Sequence, residues 1–283
     1  MWNDKLGDRM KRYENITRNY LPNRMPVIIR LDGKAFHTFT RNFSKPFDDL
    51  LIEAMQNTAL YLCKHIEGVK LAYTQSDEIS LLLTNDNTWE TEPWFSNNIQ
   101  KMVSVAASMA TFAFNHNFEH FANTYAASIN PIGEMSEEQK KLYTAYGRAA
   151  CSGAFFDARI FVLPKEEVCN YFWWRQADAQ RNSIQMCGQA HFSHQELHKK
   201  SCEDIKHMLS ESNCNWDWET LPPVYKWGSC IIKRPKIVAT NIDFVSGTSV
   251  VKMRNKWIID TEIPLFFQNR DYIDSLLEVH NEK

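Results

Sequence analysis

The chain has 283 residues, of which 44% are hydrophobic and 23% charged, with a formal net charge of −2. That balance describes a globular protein long enough to bury a core without covalent staples, and it excludes both a disordered chain and a global basic field for nucleic acid. The 7 cysteines are odd in number, widely spread and contain no C-x-x-C pair, which argues against a disulfide framework and a four-cysteine zinc site and fits a reducing, cytoplasmic setting.

The first residues, MWNDKLGDRMKRYE, are charged and carry no signal-peptide pattern. Pro26 to Asp32 is a short β-branched run that stops at Gly33 and predicts a buried strand. Residues 47–66 place Leu50, Leu51, Ala54, Met55 and Ala59 at helical spacing, and Gly68 ends that helix. VKLAYT (69–74) and ISLLLT (79–84) predict a hairpin with the polar tip Gln75-Ser76-Asp77-Glu78. A second long helix is expected over 95–117; its weakly polar stretch, Met102 to Phe114, is too short to cross a bilayer. A less regular segment precedes a strand at 155–164. Helices follow at about 166–187 and 194–211, the latter opened by a capping box of Ser193 and Glu196. After Pro222 and Pro223 a small β-rich unit begins at VYKWGSCIIK.

The order β-α-β-β-α-β predicts an α+β fold, a palm-like split βαβ (ferredoxin-like) antiparallel sheet with helices on one face. The expected division is a palm-like catalytic domain over 1–190 and a helical and β-rich C-terminal region over 191–283, packed on the palm. No two of the 9 glycines have the spacing of a Rossmann fingerprint or a P-loop, so any nucleotide is held by other means.

Asp32 ends the first strand, and Asp77-Glu78 form the hairpin tip. On neighbouring strands, about 4.8 Å apart, their carboxylates can share divalent cations that bind oxygen at about 2.1 Å. Gly33, without a Cβ, leaves its backbone open to metal or phosphate. Each feature also has a plainer reading, as an ordinary turn or a solvated tip, and spacing alone leaves both open.

The literal motifs go further. R-L-D-G-K-A-F-H-T-F (30–39), K-P-F-D (45–48), A-Y-T-Q-S-D-E-I-S (72–80), F-D-A-R (156–159), Y-F-W-W-R-Q-A-D (171–178) and L-P-P-V-Y-K-W-G (221–228) closely resemble the tRNA-His guanylyltransferase family of 3′-to-5′ RNA polymerases. The resemblance implies a palm-like domain, two Mg²⁺ ions, ATP and GTP or another NTP as substrates, tRNA as partner and a homotetramer. It implies Asp32 and Asp77 as metal-binding catalytic carboxylates, the Gly33 carbonyl as a further ligand, and Glu78 as their supporting acid. Nucleotide contacts are implied for Lys34, Ala35, Phe36, His37, Lys45, Ser76, Lys101 and Asn182. Where eukaryotic members carry H-I-N-N, this chain has Q-R-N-S (180–183), keeping only Asn182. That departure resembles the bacterial, archaeal and phage branch, which repairs truncated tRNA 5′ ends by templated addition. Addition of a single G to tRNA-His is the alternative, and a palm-fold nucleotide cyclase a more distant one.

Two further clusters stand out. Residues 223–260 concentrate cations, and Lys226, Lys233, Arg234, Lys252 and Arg254 are the candidate RNA contacts. His191, His194, His198 and Cys202 approach zinc-ligand spacing, although Lys199 and Lys200 oppose a cation there.

Overall fold

The computed structural model describes residues 5–129, 135–212, 217–242 and 249–278, with the backbone alone at 237–242 and 249–252. Its elements in order are α1 (Lys5–Asn15), β1 (Val27–Gly33), α2 (Phe36–Phe39), α3 (Asp49–His65), β2 (Val69–Gln75), β3 (Glu78–Leu83), α4 (Ile99–Ser128), α5 (Glu137–Ser152) and β4 (Phe156–Val162). There follow α6 (Lys165–His191), α7 (His194–Leu197), α8 (Cys202–Glu211), α9 (Pro223–Trp227), β5 (Ser229–Ile242), β6 (Ser249–Asp260) and α10 (Asp271–Asp274).

The strands form one antiparallel six-stranded sheet in the order β4-β1-β3-β2-β5-β6. Its first four strands have the split βαβ order expected from the pattern. Strand residues alternate between two cores, because successive side chains point to opposite faces. Val27, Ile29 and Leu31 pack with Ile79, Leu81 and Leu83 under α3 and α4. Ile28, Leu71, Tyr73 and Leu82 face the other way, beneath Val168, Cys169 and Phe172 of α6. The first two long helices therefore cover one face as expected, and α6 covers the opposite one.

Four expectations change. The segment expected to be irregular holds the last third of α4 and all of α5, whose start is a capping box between Ser136 and Gln139. The helix expected over 194–211 is two, because Lys199 takes a positive φ of 61° and Ser201 opens a second capping box with Asp204. VYK and Trp227 form α9, and the strand begins only at Ser229, past Gly228 at φ 84°. That strand is not part of a separate unit: Ser229–Ile232 pair with Thr74–Leu71 and widen the palm sheet. The C-terminal segment also shares a core with α6, where Ile184 and Cys187 meet Ile205, Leu209, Trp218 and Leu221.

Candidate active site

β1 runs toward one end of the sheet and β3 runs back from it, so the end of the first strand and the start of the hairpin's return strand meet. Asp32 lies opposite Glu78 on β3 and opposite Asp157 on β4. The Gly33 N–H donates to the backbone carbonyl of Asp77 at 3.1 Å, which ties the hairpin tip to the end of β1. Asp32 and Asp77 are thereby brought together. Burial raises the Asp77 carboxyl above its usual range despite hydrogen bonds from its own backbone and the Ser76 hydroxyl, and the charge of Asp32 pushes it the same way. A divalent cation between them would relieve that repulsion.

Glu78 has a different environment. It is buried, and Arg175 of α6 grips it with Nε at 2.7 Å and Nη2 at 2.9 Å, while Nε of Arg30 stands 2.9 Å away on the other side. Burial still outweighs the pull of both guanidiniums and raises the carboxyl. Glu78 is thus a post on which α6 is fixed over the sheet, and Arg175 continues to Asp178 at 2.9 Å. Glu78, expected as the supporting acid, is thus held from both sides by arginines.

At this end of the sheet a cleft of about 980 Å³ opens, lined by Gly33, Ala35, Phe36, His37, Lys45, Ser76 and Asp77 among others. The far wall comes from Lys141 and Leu142 of α5 and Met186 and Gln189 of α6. The loop in between is held by aromatic packing. Phe36 and Phe39 sit edge-on to Phe114 at 5.3 and 5.5 Å, and Phe43 stacks on Phe118 at 5.7 Å. Each such buried ring is worth about 1.5–3 kcal/mol. Phe36 therefore serves the cleft with its backbone, while its ring belongs to the core. A Cβ on Gly33 would stand 2.2 Å from that ring, so only glycine fits between the strand end and the loop. Polar anchors complete the mount: Tyr146 donates to the buried Asp48 carboxylate at 2.7 Å, and Arg148 donates to the carbonyls of Phe39 and Arg41 at 2.8 and 2.9 Å.

Asn182 is exposed on α6, four residues before Met186, on the helix face that walls the cleft. Lys34 turns to an adjacent hollow with Thr38 and Ser152, and its N–H donates to the Phe155 carbonyl at 2.8 Å. Lys101 is not brought to the site. α4 follows β3, which leads away from the carboxylates, so the helix begins at the opposite end of the sheet beside Tyr20 and Phe95. Lys226 is not a surface contact either. It is buried between the indoles of Trp218 and Trp227, with Nζ on the Glu219 carbonyl at 2.6 Å. Lys233, Arg234 and Arg254 are exposed on the β5–β6 ribbon; the side chain of Lys252 lies outside the described residues. The zinc spacing does not close, because α7 ends at Leu197 and His191 Nδ1 is engaged with the Cys187 carbonyl.

The sequence reading missed Arg41, Lys141, Met186 and Gln189, which line the cleft, and the anchors Tyr146 and Arg148. The S-E-E-Q capping signature at 136–139 was the available sign that α5 existed at all.

Among the described residues no group of three or more His, Cys, Asp or Glu forms a metal cage. Two carboxylates beside an open cleft would suit a hard cation such as Mg²⁺, which keeps waters and takes further oxygens from substrate phosphates. No helix among the described residues is long and apolar enough to cross a membrane.

Comparison with known proteins matches residues 7–164 to a family model described as tRNAHis guanylyltransferase. A probable tRNA(His) guanylyltransferase of Dictyostelium discoideum is 24% identical over 83% of each chain. An uncharacterized protein of Acanthamoeba polyphaga mimivirus, R259, is 28% identical over 99% of this chain and 95% of its own. Among solved structures, a bacterial tRNA(His) guanylyltransferase (Thg1)-like protein in complex with ATP superimposes with a TM-score of 0.76 at 41% identity, covering 98% of this chain and 100% of its own.

Proposed function

The chain belongs to the tRNAHis guanylyltransferase family and is a nucleotidyltransferase, and from that premise we propose that it extends tRNA 5′ ends in the 3′-to-5′ direction, as templated end repair, with Mg²⁺. The observation that carries the reading is the meeting of Asp32 and Asp77 at the mouth of a cleft lined by Lys45, His37 and Ser76. The bacterial relatives bound to ATP and to GTP support a nucleoside triphosphate in that cleft.

The reaction has two in-line phosphoryl transfers. A tRNA 5′-monophosphate attacks the α-phosphate of ATP and releases pyrophosphate; the 3′-hydroxyl of an incoming NTP then attacks the activated 5′ end and releases AMP. Such transfers need positioning and charge neutralisation more than covalent help from a side chain. Asp32, Asp77 and the Gly33 carbonyl would hold Mg²⁺, which when bound neutralises phosphate charge and lowers the pKa of an attacking oxygen. Lys45 and Arg41, with Lys141 on the far wall, supply cations for the triphosphate, and His37 and Ser76 supply hydrogen bonds. The backbone of residues 35–37 comes close because Gly33 lets Phe36 fold under it.

The RNA-facing surface includes the β5–β6 ribbon. Arg234 lies opposite Lys256 and Lys236 opposite Arg254, all exposed. Like charges directly across a ladder destabilise it, so a polyanion that neutralises them gives a reason for the arrangement. The Lys233 ammonium sits 4.9 Å over the Trp257 ring, and the Arg234 guanidinium 5.3 Å over Tyr272. The ribbon leaves the sheet at the end away from Asp32, since β5 starts beside Thr74 and runs outward past Leu71. A partner touching both ends has to be long, as a tRNA is.

Incubation with a labelled, 5′-truncated tRNA, ATP and one NTP at a time tests the reading. Growth that follows the nucleotide opposite the missing position is the expected result. A single G added only to tRNA-His would support the alternative, and a cyclic product without RNA would overturn both.

A further inference from the structure

The nucleotide cleft accounts for one approach to Asp32, and a second surface reaches the same carboxylate from the α6 face of the sheet. Asp32, Arg30 and Arg159 share that face, as the register of β1 and β4 requires, and the two guanidiniums bracket the Asp32 carboxylate at 4.0 Å each without hydrogen-bonding it. Nε of Arg30 lies near Glu78 but makes no directed hydrogen bond, although it is buried. Arg159 is 53% exposed on the edge strand and pairs at 2.9 Å with Asp157, itself 54% exposed. Above them α6 presents Trp174, 56% exposed, with the Arg175 guanidinium 4.4 Å from its ring. Tyr171 fixes its place: that ring is 6.1 Å from Trp174 and 5.6 Å from Phe161 of β4. Two incompletely paired guanidiniums flank a carboxylate assigned to phosphoryl transfer, and the helix over that face exposes an indole; together they make a seat for a phosphorylated polynucleotide end.

We propose that Arg159, with Arg30, receives the 5′-phosphate of the RNA and that Trp174 stacks on its first base. The RNA end would thus reach Asp32 across β4, on the side away from the triphosphate cleft. This rests on the function proposed above and assigns the acceptor side of the same site. The fork of an exposed guanidinium suits a terminal phosphate, which carries two charges and accepts paired hydrogen bonds, better than an internal phosphodiester with one. The Arg159–Asp157 pair is solvent-screened and yields readily to such a competitor.

The test uses the full chain and a 5′-truncated tRNA prepared with either a 5′-monophosphate or a 5′-hydroxyl, without NTP. The unmodified protein is expected to bind the phosphorylated form about tenfold more tightly. Arg159→Gln should bring the two affinities together while leaving ATP affinity unchanged, and Asp157→Asn, which frees Arg159, should widen the difference. With 2-aminopurine as the first nucleotide, binding should quench its fluorescence; Trp174→Ala should abolish the quench, and Trp173→Ala, whose ring instead meets Phe267 at 5.9 Å, should retain it. An unchanged phosphate preference in Arg159→Gln, or an unchanged quench in Trp174→Ala, overturns the proposal. Failure of the unmodified protein to extend the truncated tRNA would instead count against the function itself.

Discussion

Asp32→Asn and Asp77→Asn are each expected to lower nucleotide transfer to a tRNA 5′ end by about a thousandfold or more, with folding intact. An amide keeps the shape of the carboxylate and removes the charge, so it separates chemistry from packing. Neither residue holds the fold together. Asp32 is 37% exposed and its arginine neighbours stand 4.0 Å off, and the Asp77 carboxylate is destabilised by burial and by Asp32. Its neutral replacement should leave the unfolding free energy unchanged or slightly higher. Chemical unfolding and single-turnover transfer on the same preparations check both halves. Full activity in either variant removes the paired-carboxylate assignment.

The second large effect falls on stability. Arg175→Ala should destabilise the protein by about 3–5 kcal/mol, because it leaves the Glu78 carboxylate buried without its bidentate partner. Both side chains are nearly inaccessible, at 6% and 5%. Arg30 softens the loss, yet its Nε makes no directed bond to Glu78. The double variant Glu78→Gln, Arg175→Met should recover much of the loss, since an apolar side chain over a neutral amide carries no unpaired charge. Urea unfolding of the three proteins measures this. Equal stability of Arg175→Ala and the parent would show that α6 is held to the sheet by its apolar face alone. Because α6 also carries Asn182, Met186 and Gln189 to the cleft, nucleotide affinity should fall with Arg175→Ala and return with the double variant.

Local chemistry made much of the palm legible. The β-branched runs, the helical spacing of 47–66 and the polar hairpin tip mark elements whose periodicity agrees with their place in the sheet. That Asp32, Gly33 and Asp77 meet follows from those elements, since a strand end and a hairpin tip meet in any split βαβ sheet, whereas a metal-binding role for them came from the family motifs. Contacts set by long-range packing were harder to see. The sequence gives Lys101 a helix but not a direction relative to the carboxylates. Lys226 reads as a surface cation until Trp218 and Trp227 close on it. The membership of β5 in the palm sheet depends on its pairing with β2, which spans more than 150 residues of chain and leaves no local trace. Glu78 stands beside Asp77 in sequence, yet strand alternation turns it under α6 toward two arginines.

The most direct test of the account is the binding of Mn²⁺, read by electron paramagnetic resonance, in the presence of an ATP analogue with a non-hydrolysable α–β bridge. The unmodified chain is expected to bind the ion far more tightly with the analogue than without it, and Asp77→Asn is expected to lose that gain while remaining folded. Undiminished Mn²⁺ binding in Asp77→Asn and in Asp32→Asn would contradict the claim that these two carboxylates form the metal-holding edge of the site.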